Sequence, residues 1–384
     1  MKQQFAAKHP WTILAAGAAI QVLTGLPAAW GVFQQPVMEE YGLSEQGAGY
    51  AFALLIAAFG VGCVLGGFLQ DKKGPRCAAL WGTALLCGGF FAAAFLPGRA
   101  GWGFFLAFSI PAGLGTAFLY PSIQSCAQKW YAVGLSGAFL TLFVRAALRG
   151  FGPVQGIRGA FWALGALTLP VCLAGSAVLS DPPQKKQQPS GKNTLDLSPG
   201  QMLRTKQYWL CAGAVCFSTP AVLLFSPIIL KLGMERGLDE TAALWSIVLG
   251  SVGSAAGRML MPMLSDHIGR RATDLGLFAA SLALSAAFWA AQGWWVVVCY
   301  AGLTFCYSAL AAVLPALSTD LFGLPHAGVN YGFLALGQSV GSLAFPFAAN
   351  LLALENGRHL LAMAGAAAGF AAIWALHPVQ KDPR

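Results

Sequence analysis

Twelve apolar runs, each long enough to cross a lipid bilayer, dominate this sequence. They lie at about 10–33, 46–69, 77–97, 101–124, 131–147, 159–179, 208–231, 241–264, 273–292, 294–317, 330–353 and 358–376. A helix needs about 20 mainly apolar residues to span the roughly 30 Å hydrocarbon core. We therefore predict an all-α polytopic membrane protein with twelve transmembrane helices. The composition agrees, since 57% of the 384 residues are hydrophobic and only 10% are charged, too few charges to cover a soluble protein.

The fifth run is the weakest of the twelve. Two arginines interrupt it, the first being Arg145, and the Gly- and Pro-bearing stretch 150–156 follows. We expect a shortened or broken helix there. The long polar segment after the sixth run is rich in Pro, Gln and Lys and cannot build a core. It predicts a cytoplasmic linker at 181–206 between a six-helix bundle at 1–180 and a second one at 207–384.

The distribution of lysine and arginine predicts how the helices are oriented in the membrane. If both termini are cytoplasmic, fifteen of these cations fall on the inside and five in outer loops, which is the positive-inside pattern. We therefore predict a multi-pass protein of the cytoplasmic membrane with both termini inside. No small-residue cleavage site follows the basic amino-terminal stretch, so the first run is expected to be a retained helix. The net charge of +9 comes from short loops and does not indicate nucleic acid.

Two similar turns follow the second and eighth runs and show that the halves repeat. Three residues recur at a constant offset of 195 positions: Asp71 and Asp266, Gly74 and Gly269, Arg76 and Arg271. An acid and several cations on a glycine turn can pair with neighbouring helix ends. We predict a conformational latch at these six residues and Arg270. The alternative is that the cations only mark the cytoplasmic side. A parallel duplication places a substrate site between the halves near mid-membrane.

Arg258 is a lone cation inside the eighth run. It precedes Asp266 by eight residues, which places it about 12 Å into an apolar slab about 30 Å thick. A guanidinium there costs at least about 2.5–3.5 kcal/mol on insertion scales. We interpret Arg258 as a cation that faces a central cavity and binds an anion. The alternative is an arginine that pairs with another helix or extends to the interface.

With these turns, the chain resembles the major facilitator superfamily along its whole length. Four stretches are similar to the oxalate:formate antiporters and the related monocarboxylate transporters: MLRTKQYW (202–209), GRMLMPMLSDHIGR (257–270), LPALSTDLFG (314–323) and NYGFLALGQSVG (330–341). The resemblance implies a secondary transporter that works by alternating access. Its mode would be anion exchange, uniport or proton symport.

The resemblance also implies the binding residues. In the oxalate carriers two buried cations hold the two carboxylates, and these positions correspond to Arg258 and Gln338. An arginine can bind one carboxylate in a bidentate way, but a glutamine offers the second one only neutral donors. We therefore predict a small monocarboxylate as substrate. Arg145 is the alternative second cation, and with it the protein would carry oxalate or another dicarboxylate.

The aromatic lining of the family's cavity corresponds to Trp30, Tyr120 and Tyr307. The alternative for each is ordinary helix packing. Proton-driven carriers place an acid or a histidine inside the membrane. We find none within a confident span, because the candidates Asp320, His326, Glu39 and Glu40 lie at edges. Exchange or uniport therefore fits the residues best, with proton symport left open.

Other classes of function fit the sequence less well. We find no nucleophile elbow, phosphate loop or metal cluster, and so predict no enzyme activity, no cofactor and no metal. The nine cysteines show no disulfide framework. A drug exporter should carry a buried acid instead of a buried cation, and a transporter-like sensor should carry a signalling domain. We expect a monomer in the lipid bilayer whose partner is a small carboxylate.

Overall fold

A computed structural model describes most of the chain. The described ranges are 16–17, 19–20, 23–24, 26–130, 138–179, 196–323, 326–352 and 356–377; for 26–29, 31–32, 124–130, 138–155 and 352 only the backbone is described. All regular secondary structure in these ranges is helical. Eight helices are long and apolar enough to cross a membrane. The all-α prediction is confirmed.

The helices follow the apolar runs closely. The first half contains α1 (Leu26–Tyr41), α2 (Glu45–Lys73), α3 (Pro75–Phe95), α4 (Ile110–Trp130) and α5 (Ala138–Val178). The second half contains α6 (Lys206–Ser218), α7 (Ile229–Glu235), α8 (Glu240–Ile268), α9 (Arg270–Ala290), α10 (Trp294–Phe322), α11 (Ala327–Leu352) and α12 (Gly357–Trp374). A π-helical turn, Phe105–Ser109, precedes α4.

The break that we expected at 150–156 is absent. The backbone stays helical from Ala138 to Val178 over 41 residues, so the fifth and sixth runs form one helix about 60 Å long. A proline inside a helix removes one backbone hydrogen bond and often only bends the helix. The prediction of a shortened or broken helix at this place was therefore wrong.

The seventh run, in contrast, is interrupted. Its first helix ends at Ser218, a single turn Pro220–Leu223 follows, and α7 begins only at Ile229. The hydroxyl of Thr219 donates to the carbonyl of Cys216 at 2.7 Å. Proline lacks the N–H that would continue the helical ladder. The irregular backbone at this level borders the cavity described below, where such breaks are tolerated in membrane proteins.

The repeat inferred from the sequence is visible in helix lengths. Helices α2 and α8 both have 29 residues, and α3 and α9 both have 21. Each pair is joined by one glycine, Gly74 with φ +85° and Gly269 with φ +92°. Residues with a side chain rarely adopt this backbone conformation, so glycine is required where one long helix turns directly into the next.

Helices α2 and α11 form a close seam between the two halves. A Cβ atom added to Gly67 would lie 2.6 Å from the carbonyl oxygen of Gly328, and one added to Gly332 would lie 2.5 Å from that of Cys63. The hydroxyl of Ser339 donates to the carbonyl of Ala57 at 2.7 Å. Small residues let helix backbones touch in this way. The seam holds the halves together on one side of the molecule.

Candidate functional site

Arg258 lies in α8 where this helix is pressed against α10. A Cβ atom added to the preceding Gly257 would lie 2.4 Å from the carbonyl oxygen of Phe305. One helical turn earlier, the hydroxyls of Ser254 and Ser308 are 2.6 Å apart. These contacts fix the position of Arg258 along the axis of α10. They also bring the polar side chains of α10 into the same cavity.

We call the cavity beside the Arg258 side chain the arginine cavity. Its wall combines the hydroxyl groups of Ser226, Ser254, Thr304 and Tyr307 with aliphatic and aromatic side chains. Among the described residues that line it, Arg258 is the one charged residue. A mainly apolar cavity with a few convergent polar groups is typical of a site for a small molecule.

The guanidinium of Arg258 has no acidic partner in the described part of the chain. Its Nε atom is buried and lacks a hydrogen-bond partner there. Its Cζ atom lies 5.6 Å from the centre of the Tyr120 ring, a distance at which the ring face attracts a cation. An unsatisfied buried N–H is costly, and an anion would satisfy it with a charge-assisted hydrogen bond.

Both halves of the chain contribute to this site. Tyr120 comes from α4 and Phe52 from α2, whereas Arg258 and Tyr307 belong to the second half. The sequence separation of Tyr120 and Arg258 gives no hint of their contact. A ligand bound beside Arg258 would therefore meet both halves. This is the position at which rocking of the halves can change access to a site.

Tyr307 separates the arginine cavity from a second cavity. The amide of Gln338 donates to the Tyr307 hydroxyl at 2.5 Å. Tyr307 lines both cavities, while Gln338 lines only the second one. Arg258 and Gln338 are thus connected through Tyr307 and do not face each other across one open space. Of the predicted binding residues, Arg258 thus contacts Tyr120, shares a cavity with Tyr307, and is linked through Tyr307 to Gln338.

Asp274 lines the second cavity and is the main residue that the sequence analysis missed. Only 3% of it is exposed. Its Oδ1 atom is buried without a hydrogen-bond partner in the described part of the chain. The expectation of no acid within a confident span was therefore wrong. Asp274 stood at the second position of the run predicted at 273–292, but α9 already begins at Arg270.

Helical periodicity could have identified this aspartate. The buried positions of α9 include Asp274, Leu277, Phe278 and Ser281, at the spacing i, i+3, i+4 and i+7 that marks one face of a helix. The position of an acid on the buried face of a helix is stronger evidence that the acid is buried than its distance from the end of an apolar run.

Two other predicted binding residues lie elsewhere or cannot be placed. The ring of Trp30 is fully buried and stacks on Phe33, Phe52 and Phe108 with centroid distances of 5.7 to 6.5 Å. Phe52 lines the arginine cavity, so Trp30 lies one ring behind its wall, in the aromatic core. Arg145 belongs to the backbone of α5, but its side chain lies outside the described residues.

A crevice opens at the end of the bundle opposite the two glycine turns. Its wall includes Glu45 at the start of α2, Asn350 near the end of α11 and Arg358 at the start of α12. Phe52 and Leu223 line both this crevice and the arginine cavity. These two apolar side chains therefore stand between Arg258 and that end of the molecule.

The turn after α2 reaches across to the second half. Oδ2 of Asp71 accepts a hydrogen bond from the backbone N–H of Val329 at 3.3 Å. Val329 lies in the first turn of α11, where N–H groups lack partners within the helix and the helix dipole favours an anion. Asp71 thus contacts the second half beside the α2–α11 seam, at the end of the molecule that carries the glycine turns. Arg76 is exposed.

The turn after α8 makes its contacts within the second half. Arg270 pairs with Asp266 on α8 and, at 3.4 Å, with Asp320 near the end of α10. Arg271 donates to the carbonyls of Ile373 and Trp374 at the end of α12, where the helix dipole favours a cation. These contacts join the ends of α8, α10 and α12.

The sequence was compared with protein families. The profile of the Major Facilitator Superfamily matches residues 13–346. The chain belongs to this superfamily. The match covers both groups of helices and includes Asp71, Arg258 and Gln338. It confirms the family recognised from the glycine turns, and with it the prediction of a twelve-helix transport fold in the membrane.

Two related proteins have small acids in their names. The chain is 24% identical over 344 residues to the oxalate:formate antiporter of Oxalobacter formigenes, covering 84% of this chain and 79% of that protein. It is 24% identical over 381 residues to a probable sulfoacetate transporter of Cupriavidus necator, with coverages of 88% and 86%.

Solved structures of the superfamily share the fold. The proton:xylose symporter superposes with a TM-score of 0.67 at 12% identity, covering 96% of this chain and 95% of that one. The nucleoside transporter superposes with a TM-score of 0.65 at 12% identity, covering 96% and 99%. The chain is a multi-pass membrane transporter, and its relatives in family and structure are transporters and not enzymes.

Proposed function

We propose that this protein transports a small organic anion, above all a monocarboxylate, by alternating access. The observation that carries the proposal is Arg258, which has no acidic partner among the described residues and faces a hydroxyl-lined cavity between the halves. One carboxylate can bridge the guanidinium and accept further hydrogen bonds from Tyr307 and the serine hydroxyls.

The charges around the two cavities favour a single negative charge on the substrate. Among the described lining residues, Arg258 is the one cation of the arginine cavity, and Asp274 is the one charged residue of the second cavity. A second carboxylate that pointed toward Gln338 would meet an amide bonded to Tyr307 and would approach the acid Asp274. Its desolvation would therefore not be offset.

The named relatives support the class of substrate. The names of the oxalate:formate antiporter and the probable sulfoacetate transporter both contain small acids. Because one relative is an oxalate:formate antiporter, a dicarboxylate is the main alternative substrate. A drug exporter is a weaker alternative, because the residue that faces the arginine cavity is a cation.

The conformation supports a transport cycle in which one end is closed. Asp71 and the α2–α11 seam close the end that carries the glycine turns, and the crevice opens at the opposite end. With the positive-inside orientation, the closed end is cytoplasmic and the protein lies in the cytoplasmic membrane. The monomeric state, the linker at 181–206 and the bundle limits at 180 and 207 stay predictions.

Ligand-dependent thermal stabilisation tests the site. The purified protein is heated with formate, lactate, pyruvate or oxalate, since a ligand that binds only the folded state stabilises it by about 2.7 kcal/mol at one hundred times its Kd. We expect stabilisation by a monocarboxylate. We expect Arg258→Gln to lower the affinity about ten- to hundredfold, because hydrogen bonds to a charged group contribute about 1.5–3 kcal/mol.

The control for this variant is Arg204→Gln, which removes the same charge from an exposed arginine outside the membrane-spanning helices. Its affinity should match that of the wild type. Equal binding by Arg258→Gln would disprove the assignment of the site. Stabilisation of the wild type by oxalate alone would replace the monocarboxylate by a dicarboxylate, with Arg145 as the first residue to test. Binding without uptake into proteoliposomes would favour a sensor.

A second variant tests the role of Gln338. We expect Gln338→Lys to add a response to oxalate, since it restores the second cation that the resemblance implies at this position. Tyr307 should then lie between two cations. If the ratio of oxalate to formate binding does not change, the second cavity does not take part in binding the substrate.

A further inference from the structure

Asp274 poses a physical problem that anion binding at Arg258 does not solve. Its side chain is buried in a membrane-spanning helix, it lines a cavity, and its Oδ1 has no hydrogen-bond partner among the described residues. An ionised carboxylate in such surroundings is costly, so it becomes neutral or finds a partner.

Packing does not require an acid at this position. The offset of 195 between the repeats relates Asp274 to Ala79, which is fully buried in α3. The first half therefore fills the equivalent position with a methyl group. The cations on α9 lie at its start: Arg270 is engaged by Asp266 and Asp320, and Arg271 donates to the carbonyls of Ile373 and Trp374. Neither packing nor an ion pair in the described part of the chain accounts for Asp274.

The neighbours of Asp274 connect it to the anion site. The titratable side chains that line the cavity with it are Cys211 of α6, Tyr307 of α10 and Tyr331 of α11, while α12 contributes the apolar Ile373. From the end of α8, Asp266 faces α9 through its pair with Arg270. All of these belong to the second half. Tyr307 is the side chain that lines both this cavity and the arginine cavity.

We propose that Asp274 binds a proton whose uptake is coupled to binding of the anion at Arg258. This inference rests on the proposed function and specifies its coupling. The proton comes from the solution on the side where the anion enters and is held on the Asp274 carboxylate, which becomes a neutral acid. It leaves to the solution on the other side after the halves have rocked. One anion and one proton cross together, and no net charge is moved.

Electrostatic linkage supplies the coupling. Without an anion, the positive charge of Arg258 favours the ionised form of an acid on the far side of Tyr307. A bound carboxylate cancels this charge, and the neutral form of Asp274 is then favoured. Since linkage is reciprocal, protonation of Asp274 also strengthens binding of the anion. The two cavities therefore fill and empty together.

Proteoliposomes and purified protein test the coupling. The probe is the acid among formate, lactate, pyruvate and oxalate that stabilises the wild type most. We expect a gradient of one pH unit, alkaline inside, to drive accumulation of up to about tenfold. In Asp274→Asn we expect that no accumulation occurs, although the probe still binds and exchanges across the membrane. Addition of the probe to the unbuffered wild type should take up one proton per protein, and none in Asp274→Asn.

Two further variants keep the result specific. Asp274→Glu should restore both accumulation and proton uptake, because it restores the carboxylate. Asp196→Asn removes an exposed carboxylate from the linker and should behave like the wild type. If Asp274→Asn does not fold, the comparison of Asp274→Glu with the wild type still reports the coupling, because moving the carboxylate by one methylene should shift the pH at which accumulation is half-maximal.

The outcomes separate this inference from the proposed function. If no acid binds the wild type, the proposed function fails and this inference fails with it. If an acid binds but Asp274→Asn still accumulates it, or if a sodium gradient instead of a proton gradient drives accumulation in the wild type, only the proton site is disproved. Accumulation and proton uptake that are both lost in Asp274→Asn, with exchange retained, support it.

Discussion

The turn after α2 and the turn after α8 share one sequence pattern, but their aspartates make different contacts. Asp71 bonds to Val329 on α11, in the other half of the chain. Asp266 pairs with Arg270 on the next helix, and Arg270 extends to Asp320 in the same half. The first turn therefore acts between the halves, whereas the second turn holds the ends of helices together within one half.

This difference shows why a repeated motif does not imply a repeated role. Gly74 and Gly269 have nearly the same positive φ, so the geometry of the turn is conserved between the repeats. The partner of each aspartate, in contrast, depends on which helix end lies opposite the turn in this conformation. A cycle that opens the closed end must break the contact of Asp71, and it can leave the contacts of Asp266 intact.

The largest effect is expected from comparing Asp71→Asn with Asp266→Asn. An exposed acid at a helix N-terminus contributes about 0.3–1 kcal/mol, so loss of the Asp71 charge should shift the closure equilibrium about two- to fivefold. We expect turnover to fall by a similar factor while binding changes little. Closure can be measured with a thiol crosslinker between cysteines at Phe68 and Phe333, whose rings are 6.3 Å apart.

In the same assay, Asp266→Asn should leave closure unchanged, because Arg270 retains Asp320. A larger loss of crosslinking in Asp266→Asn than in Asp71→Asn would reverse the comparison. A loss of affinity with normal turnover in Asp71→Asn would show that this residue acts on the substrate site and not on closure.

A smaller effect is expected from Gly328→Ala. Alanine has a higher helix propensity than glycine. Its Cβ would nevertheless lie 2.7 Å from Oδ1 of Asp71 and would displace the carboxylate from Val329. We expect the equilibrium constant for closure to fall about twofold, which is the size expected for loss of a weak contact at a helix N-terminus. The control is Gly276→Ala in α9, where an added Cβ meets no atom within 4 Å.

The effect of Gly328→Ala should vanish when Asp71 is already Asn, because both changes act on one contact. Full additivity of the two changes would show that Gly328 acts on closure through packing of the seam. Crosslinking of the double variant measures this directly.

The smallest effect is expected from Arg270→Lys. A lysine can pair with Asp266 or Asp320, but it cannot hold both in the planar geometry of a guanidinium. Because these groups are partly exposed, we expect a loss of only about 0.2–1 kcal/mol and a melting temperature lower by about 1–3 °C. Closure should not change. A change in crosslinking without a change in melting would contradict the structural role of the second turn.

The sequence predicted well what depends on local pattern. Apolar length placed the helices, and the offset of 195 residues identified the turns at Gly74 and Gly269. The lone cation Arg258 was found because a charge in an apolar run stands out. Local pattern failed at 150–156, since the decision between a bend and a break depends on the surroundings of the helix.

The contacts between the halves could not be predicted from the sequence. Asp71 and Val329 are 258 residues apart, and no pattern in either segment indicates that the two residues are in contact. Trp30 and Phe52 are both aromatic residues near the cavity, yet only the packing of α1 behind α2 shows which of them forms its wall. Asp274 was missed because its burial depends on where α9 begins.

The glycine-lined seam between α2 and α11 also has a consequence for water. Ser339 and Ser342 donate to the carbonyls of Ala57 and Ala53 across this seam. When the two helices separate, the Ser339 hydroxyl loses its acceptor on α2, and hydrocarbon offers none in exchange, whereas Ser342 keeps the carbonyl of Ser339 in its own helix. Opening must therefore hydrate the seam in the same step, so the rate of the conformational change should depend on water activity. Osmotic stress should slow the cycle even at constant substrate concentration.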